Sequence, residues 1–192
     1  MLAEEDIRLG PWQPVDPVHG AAWFSSVDFV WWIAGGWALD LHLGRQSRPH
    51  ADLDIGVLRR DITRVRERLS SWEMFEAKDG VLTRLESGQV PRVDVHSLWC
   101  RPIGATRWML ELMLEDSVDD VWAYRREPSI RRPFSTVLRI STSGLAYLAP
   151  EVQLLYKSRR MRPRDQPDFE VIAPLLDSPA RDWLVSMATS LR

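Results

Sequence analysis

The chain has 192 residues, enough for one domain with its own core or a domain with a small appendage. With 45% hydrophobic residues, 27% charged residues and a formal net charge of -2, it reads as a globular protein without the basic excess that a nucleic acid polymer demands of its partner. The single cysteine, Cys100, excludes an internal disulfide framework and a thiolate-rich zinc site.

The start, Met1-Leu2-Ala3-Glu4-Glu5-Asp6, is acidic and lacks the basic and apolar regions of a signal peptide. The longest apolar stretch, Phe29 to Leu39, holds two glycines and is too short to span a bilayer. No membrane partner and a cytoplasmic location are therefore expected. The ten tryptophans read as core filling and amphipathic anchors rather than as stacking surfaces.

Three prolines make residues 10–17 an extended lead-in, followed by a short helix over 18–26. Phe29 to Ala34, aromatic and β-branched, predicts a buried strand that stops at Gly35-Gly36. Trp37 to Leu43 then predicts a helix closed by Gly44. Asp52 to Leu58 alternates as a strand, with Leu53, Ile55 and Val57 on one face and Asp52, Asp54 and Gly56 on the other. Asp61 caps a helix with the stripe Ile62, Val65, Leu69 and Trp72.

Val81 to Glu86 and Val90 to Trp99 read as paired strands joined at Ser87-Gly88, and Trp108 to Leu114 as a further strand whose apolar run also permits a helix. Residues 115–148 carry no clear period. Pro150 opens a helix with Val152, Leu155 and Tyr156 on one face. Pro163 ends it, Pro167 opens another, and Ser178-Pro179 begins a last helix buried through Leu184, Met187 and Leu191. The layout is an α+β core over 18–145 and a C-terminal helical segment over 146–192.

The chemistry concentrates between Gly35 and Asp54. Two glycines between a strand and a helix let the backbone approach a ligand closely, and the helix start offers N–H groups and a positive dipole end to phosphate oxygens. Asp52 and Asp54 share a strand face, about 6.6 Å apart along the backbone. Two carboxylates aimed at one spot repel unless a cation lies between them, and oxygen-only ligands suit magnesium. In Arg92-Val93-Asp94-Val95-His96 the alternation puts Asp94 and His96 on one face. If that strand neighbours the Asp52 strand, Asp94 joins the cluster. Three acids hold two metal ions, or one metal plus a base for a hydroxyl nucleophile.

This run resembles the signature of the DNA polymerase β-like nucleotidyltransferase superfamily: a Gly-Gly turn followed by Asp-x-Asp on the next strand. The finer pattern is Gly35-Gly36-Trp37-Ala38-Leu39-Asp40, Leu43-Gly44-Arg45, Arg48-Pro49-His50 and Asp52-Leu53-Asp54. It is similar to that of the aminoglycoside adenylyltransferases of the 2-double-prime type, with lincosamide nucleotidyltransferases a neighbouring likeness. The tail Pro150 to Lys157, with Arg164-Asp165 and Asp168-Phe169, is similar to the C-terminal helices of bacterial relatives.

The resemblance implies a nucleotidyltransferase-type mixed β-sheet flanked by helices. It implies a magnesium-dependent enzyme, with room for two ions, that transfers AMP from ATP, or another nucleoside monophosphate from its triphosphate, to a hydroxyl of a small antibiotic-like molecule. Asp52, Asp54 and Asp94 would bind metal, Asp94 serving also as base. Gly35, Gly36, Arg48 and Lys157 would contact the nucleotide. His50 and His96 are further candidates, His50 for ordering its loop. Asp40 fits local pairing, and Lys157 also fits a solvated basic helix end with Arg159 and Arg160. Trp37 stands where much of the superfamily has serine, and no position here matches the acids by which the family contacts its aminoglycoside.

Two alternatives share the motif: an antitoxin-like nucleotidyltransferase that modifies a partner protein, and a non-catalytic nucleotide-binding relative. Either a monomer or a homodimer fits. The sequence holds no P-loop, kinase catalytic loop or Gly-x-Ser-x-Gly elbow.

Overall fold

A computed structural model describes residues 10–159 and 161–191. The acidic start Met1–Asp6 and Arg160, both read from the sequence above, lie outside the described residues. In chain order the elements are α1 (Pro17–Trp23), β1 (Trp31–Ile33), α2 (Gly35–Leu43), β2 (Asp54–Leu58), α3 (Ile62–Arg68), β3 (Trp72–Lys78), β4 (Val81–Arg84), β5 (Ser97–Pro102) and β6 (Leu110–Glu115). There follow β7 (Ser117–Val118), β8 (Val121–Ala123), β9 (Arg131–Pro133), β10 (Leu138–Ile140), β11 (Ala146–Leu148), α4 (Pro150–Ser158), α5 (Gln166–Ile172) and α6 (Ser178–Ser190). The chain divides into two compact units. The first takes the residues up to Trp31 together with His50–Asp116; the second takes Trp32–Pro49 and the residues from Ser117 onward.

In the first unit the strands run in the order β2-β6-β5-β3-β4. β2 and β6 are parallel and the other neighbours antiparallel, a mixed sheet. Leu53, Ile55, Val57, Leu98, Cys100, Leu110, Leu112 and Leu114 are fully buried, as strict alternation on adjacent strands requires when one face is covered. Burial pushes the Cys100 thiol well above its usual range, so it stays an inert core thiol. Asp16 caps α1 by accepting from the Val18 and His19 amides, and Pro17 takes the first helical position. Gly20 of α1 lies against Leu53; a Cβ there would fall 2.2 Å from the leucine Cδ2.

The hairpin falls elsewhere than the sequence reading puts it. β3 pairs with β4 around Asp79-Gly80, both at positive φ (51° and 76°), whereas Ser87-Gly88 lies in the loop that follows β4. Asp-Gly is the dipeptide that a tight two-residue hairpin favours. α3 accordingly stops at Arg68, and Trp72 begins a strand instead of extending a helical stripe.

In the second unit β1 lies parallel to β11 through Ile33 and Tyr147, and β10 lies antiparallel to β11. β7, β8 and β9 form a separate antiparallel meander, which accounts for part of the stretch the sequence left undefined. α2 begins at Gly35, two residues earlier than expected, and ends at Gly44 in the left-handed conformation (φ 71°). Pro150 opens α4, whose Val152, Leu154 and Leu155 are fully buried. Asp177, not Ser178, caps α6. Of the α6 stripe, Leu184 is buried and Met187 is half-buried, as is Leu191 just beyond the helix. Among the described residues no helix is long and apolar enough to cross a membrane.

Candidate metal centre and glycine turn

Asp54 and Glu111 are direct partners across the parallel pair β2–β6, so their side chains stand on the same face of the sheet. Asp52, two residues before Asp54, brings the third acid. One carboxylate oxygen from each of Asp52, Asp54 and Glu111 lies within 4.8 Å of the others, and all three residues are half-buried. Three carboxylates this close disfavour one another when all are ionised. An oxygen-only set converging on one point fits a hard divalent cation such as magnesium, which relieves this repulsion. Ser97 on β5 donates from Oγ to Glu111 Oε1 at 2.6 Å and fixes one edge of that carboxylate.

Asp94 is not part of this cluster, which corrects the sequence reading. β5 starts only at Ser97. Before it, the Val95 amide donates to the Arg92 carbonyl and closes a turn, so Val93 is exposed and Val95 buried where alternation would have put both on one face. The residue of β5 opposite Glu111 is Trp99. β6, not β5, is the neighbour of β2. Asp94 is exposed and pairs with Lys78, whose hydrogen bond holds the Asp94 carboxyl below the usual range. His96 also lies outside the cluster: its Nδ1 is 3.1 Å from Arg59 Nη2, which also donates to the Val95 carbonyl. His50 is buried, at 7% exposure, and outside the cluster too. Glu111 left a signal that the sequence reading passed over. It is the lone carboxylate among Leu110, Leu112, Met113 and Leu114, and in a strand it must face away from the leucines.

In the second unit Gly35 opens α2 at φ 64°, a conformation that favours glycine. Its N–H donates to Oε1 of the buried Gln153 on α4 at 2.9 Å. Gly35 therefore spends its amide inside the fold, and the next amide, Gly36, is among those a helix start leaves without an intrahelical partner. Asp40 pairs locally, accepting from the Ser47 amide at 3.1 Å and its hydroxyl at 2.5 Å.

Arg48 and Lys157 do come together, on a shared carboxylate. Arg48 grips Asp168 with two bonds, at 2.9 and 3.0 Å. Lys157 Nζ sits 2.9 Å from Asp168 and 2.8 Å from Asp165, and Arg162 adds two bonds to Asp165 at 2.7 and 3.0 Å. Burial alone would raise the carboxyls of Asp165 and Asp168. The hydrogen bonds from Arg162 and Lys157 to the one, and from Arg48 and Lys157 to the other, outweigh it and hold both below the usual range, Asp165 well below. Asp168 in turn raises the Arg48 guanidinium. Lys157 is 7% exposed and its ammonium is held between two carboxylates, so it is not a solvated helix end.

Residues 21–137 match the family described as Aminoglycoside-2''-adenylyltransferase. A curated 2''-aminoglycoside nucleotidyltransferase of Escherichia coli is 39% identical over 57 residues, 28% of this chain and 32% of that protein, so the match spans about a third of the relative's length. The crystal structure of ANT(2")-Ia in complex with adenylyl-2"-tobramycin superposes with a TM-score of 0.62 at 14% identity, covering 90% of this chain and 95% of that one. The lincomycin-bound lincosamide antibiotic adenylyltransferase LnuA superposes with a TM-score of 0.50 at 15% identity, covering 95% of this chain and 99% of that one. At these identities the structural likeness establishes the α+β nucleotidyltransferase fold. The family match extends over more than half of the sequence, and the chain belongs to the aminoglycoside-2''-adenylyltransferase family.

Proposed function

We propose that this protein is a magnesium-dependent nucleotidyltransferase that moves AMP from ATP to a hydroxyl of a small, aminoglycoside-like or lincosamide-like molecule in the cytoplasm. The observation that carries this reading is the convergence of Asp52, Asp54 and Glu111 within a chain of this family. Asp52 and Asp54 hold the metal, and Glu111 takes the proton of the acceptor hydroxyl. The oxygen of that hydroxyl bonds to the α-phosphorus as the bond from phosphorus to the pyrophosphate oxygen breaks, and pyrophosphate leaves with the electron pair. Magnesium held by Asp52 and Asp54 would supply charge neutralisation for the phosphoryl oxygens. Ser97 keeps one Glu111 oxygen occupied as a hydrogen-bond acceptor, so proton transfer falls to the other.

Within the second unit, the Gly36 amide and the dipole of α2 suit a phosphate group. Gly35 sets the backbone and Gln153 holds it. Arg48 and Lys157 order their own unit through Asp165 and Asp168 instead of binding phosphate with unpaired charge.

The test is incubation of the full chain with magnesium, α-labelled ATP and either tobramycin or lincomycin, followed by mass spectrometry of the acceptor. A mass gain of one adenylyl group with release of pyrophosphate is expected. No label on any small acceptor, together with label on a co-purified protein, would replace this reading with modification of a macromolecule.

A further inference from the structure

We propose that Trp99 is the ring on which the acceptor docks, and that it selects for a saturated ring carrying a protonated amine. The inference rests on the transfer reading above and concerns the neighbour of its catalytic carboxylate. Three registers give it. Asp54 faces Glu111 across β2–β6, Glu111 faces Trp99 across β6–β5, and Trp99 faces Phe75 across β5–β3. Direct partners share a face, so Asp54, Glu111, Trp99 and Phe75 form one row across the sheet, two acids followed by two aromatic rings. Neighbours in such a row stand about 5 Å apart at Cα.

An acceptor hydroxyl must come within about 3 Å of Glu111 to give up its proton. The molecule behind that hydroxyl then lies over a side chain next to Glu111 in the row. Toward β2 that place belongs to Asp54, a member of the metal cluster. Toward β5 it belongs to Trp99. This side chain is half-buried, in edge-to-face contact with Trp12 at 4.9 Å and with Trp108 at 5.7 Å. A ring held in this way offers a flat apolar surface at little cost in ordering.

The row also favours positive charge. Glu111, the base of the proposed transfer, places a carboxylate beside the ring, and the indole face adds the attraction of its π-cloud for an ammonium. The same aromatic cluster already accommodates a cation. Arg101, paired with Glu73 at 2.8 Å, sits over Trp108 at 4.4 Å and over Phe75 at 5.6 Å. Trp108, at 2% exposure, is core, whereas half-buried Trp99 has the amphipathic placement that leaves part of the ring for a ligand.

The experiment compares wild type with Trp99→Phe and Trp99→Met in steady-state transfer from ATP to tobramycin, and measures tobramycin binding by calorimetry with the full chain and magnesium. Methionine keeps an apolar side chain against Trp12 and Trp108 but removes the ring. The expected result is a rise in the tobramycin KM and dissociation constant of roughly tenfold for Met and about threefold for Phe, with the ATP KM unmoved. Equal shifts for ATP and tobramycin, a Phe variant no better than Met, or a Met variant indistinguishable from wild type in both assays would overturn it. Should the Met variant fail to fold, the Phe variant carries the test through the same split between the two substrates. Absence of transfer by wild type refutes the transfer reading, while calorimetry still decides whether Trp99 holds the ring.

Discussion

Replacing Lys157 by Met should destabilise the second unit rather than weaken nucleotide binding alone. The ammonium is 6% exposed at the side chain and closes ion pairs with Asp165 and Asp168, themselves 1% and 5% exposed. Breaking a buried pair by removing one partner costs about 3–5 kcal/mol, because the opposite charge is left uncompensated. Here Arg162 still serves Asp165 and Arg48 still serves Asp168, which places the loss at the low end, about 3 kcal/mol. For a chain of this size that corresponds to a fall in Tm of roughly 6–12 °C. Thermal unfolding followed by circular dichroism, with the ATP KM measured well below the transition, reads both quantities. A Tm within about 2 °C of wild type together with a tenfold higher ATP KM would refute the argument and restore Lys157 as a phosphate ligand.

The same cluster predicts a pH dependence. Asp165 and Asp168 have folded values below their unfolded ones, so their stabilisation is complete above the unfolded value near pH 4 and is lost as pH falls through the folded values. Denaturant midpoints should therefore stay level in this respect from neutral pH down to about 5 and drop below about 4, with a shallower drop in Asp168→Asn. Gln153→Met removes the acceptor of the Gly35 amide and leaves that N–H without its partner, at a cost of about 1–3 kcal/mol. Chemical denaturation should show that loss, and the ATP KM should rise while the tobramycin KM stays; an unchanged ATP KM would mean that Gln153 supports only the fold.

The parts of the fold set by local rules were open to the sequence. The alternation of Leu53, Ile55 and Val57, the Gly44 stop of α2 and the Pro150 start of α4 each follow from one short-range constraint, and each is present in the structure. The third acid was not open in the same way, because it depends on which strand lies beside β2. That is a long-range pairing. Sequence order suggests the strand carrying Asp94, but β6 occupies the place and brings Glu111. The turn closed by Val95 and Arg92 breaks the alternation on which the Asp94 reading relied. The burial of Lys157 was closed to the sequence for a related reason. Asp165 and Asp168 lie 8 and 11 residues along the chain from it, and only the folded chain sets both carboxylates against its ammonium.

The most direct test of the metal centre is the transfer rate of Glu111→Gln beside that of Asp94→Asn, with magnesium and ATP at saturation. Loss of the Glu111 carboxylate should lower kcat by at least about 100-fold, the scale of a missing acid–base group. Loss of the exposed Asp94 charge, paired with Lys78 at the surface, should change it by no more than about twofold. The reverse outcome, an inactive Asp94→Asn and an active Glu111→Gln, would contradict the assignment of Glu111 as the third acid.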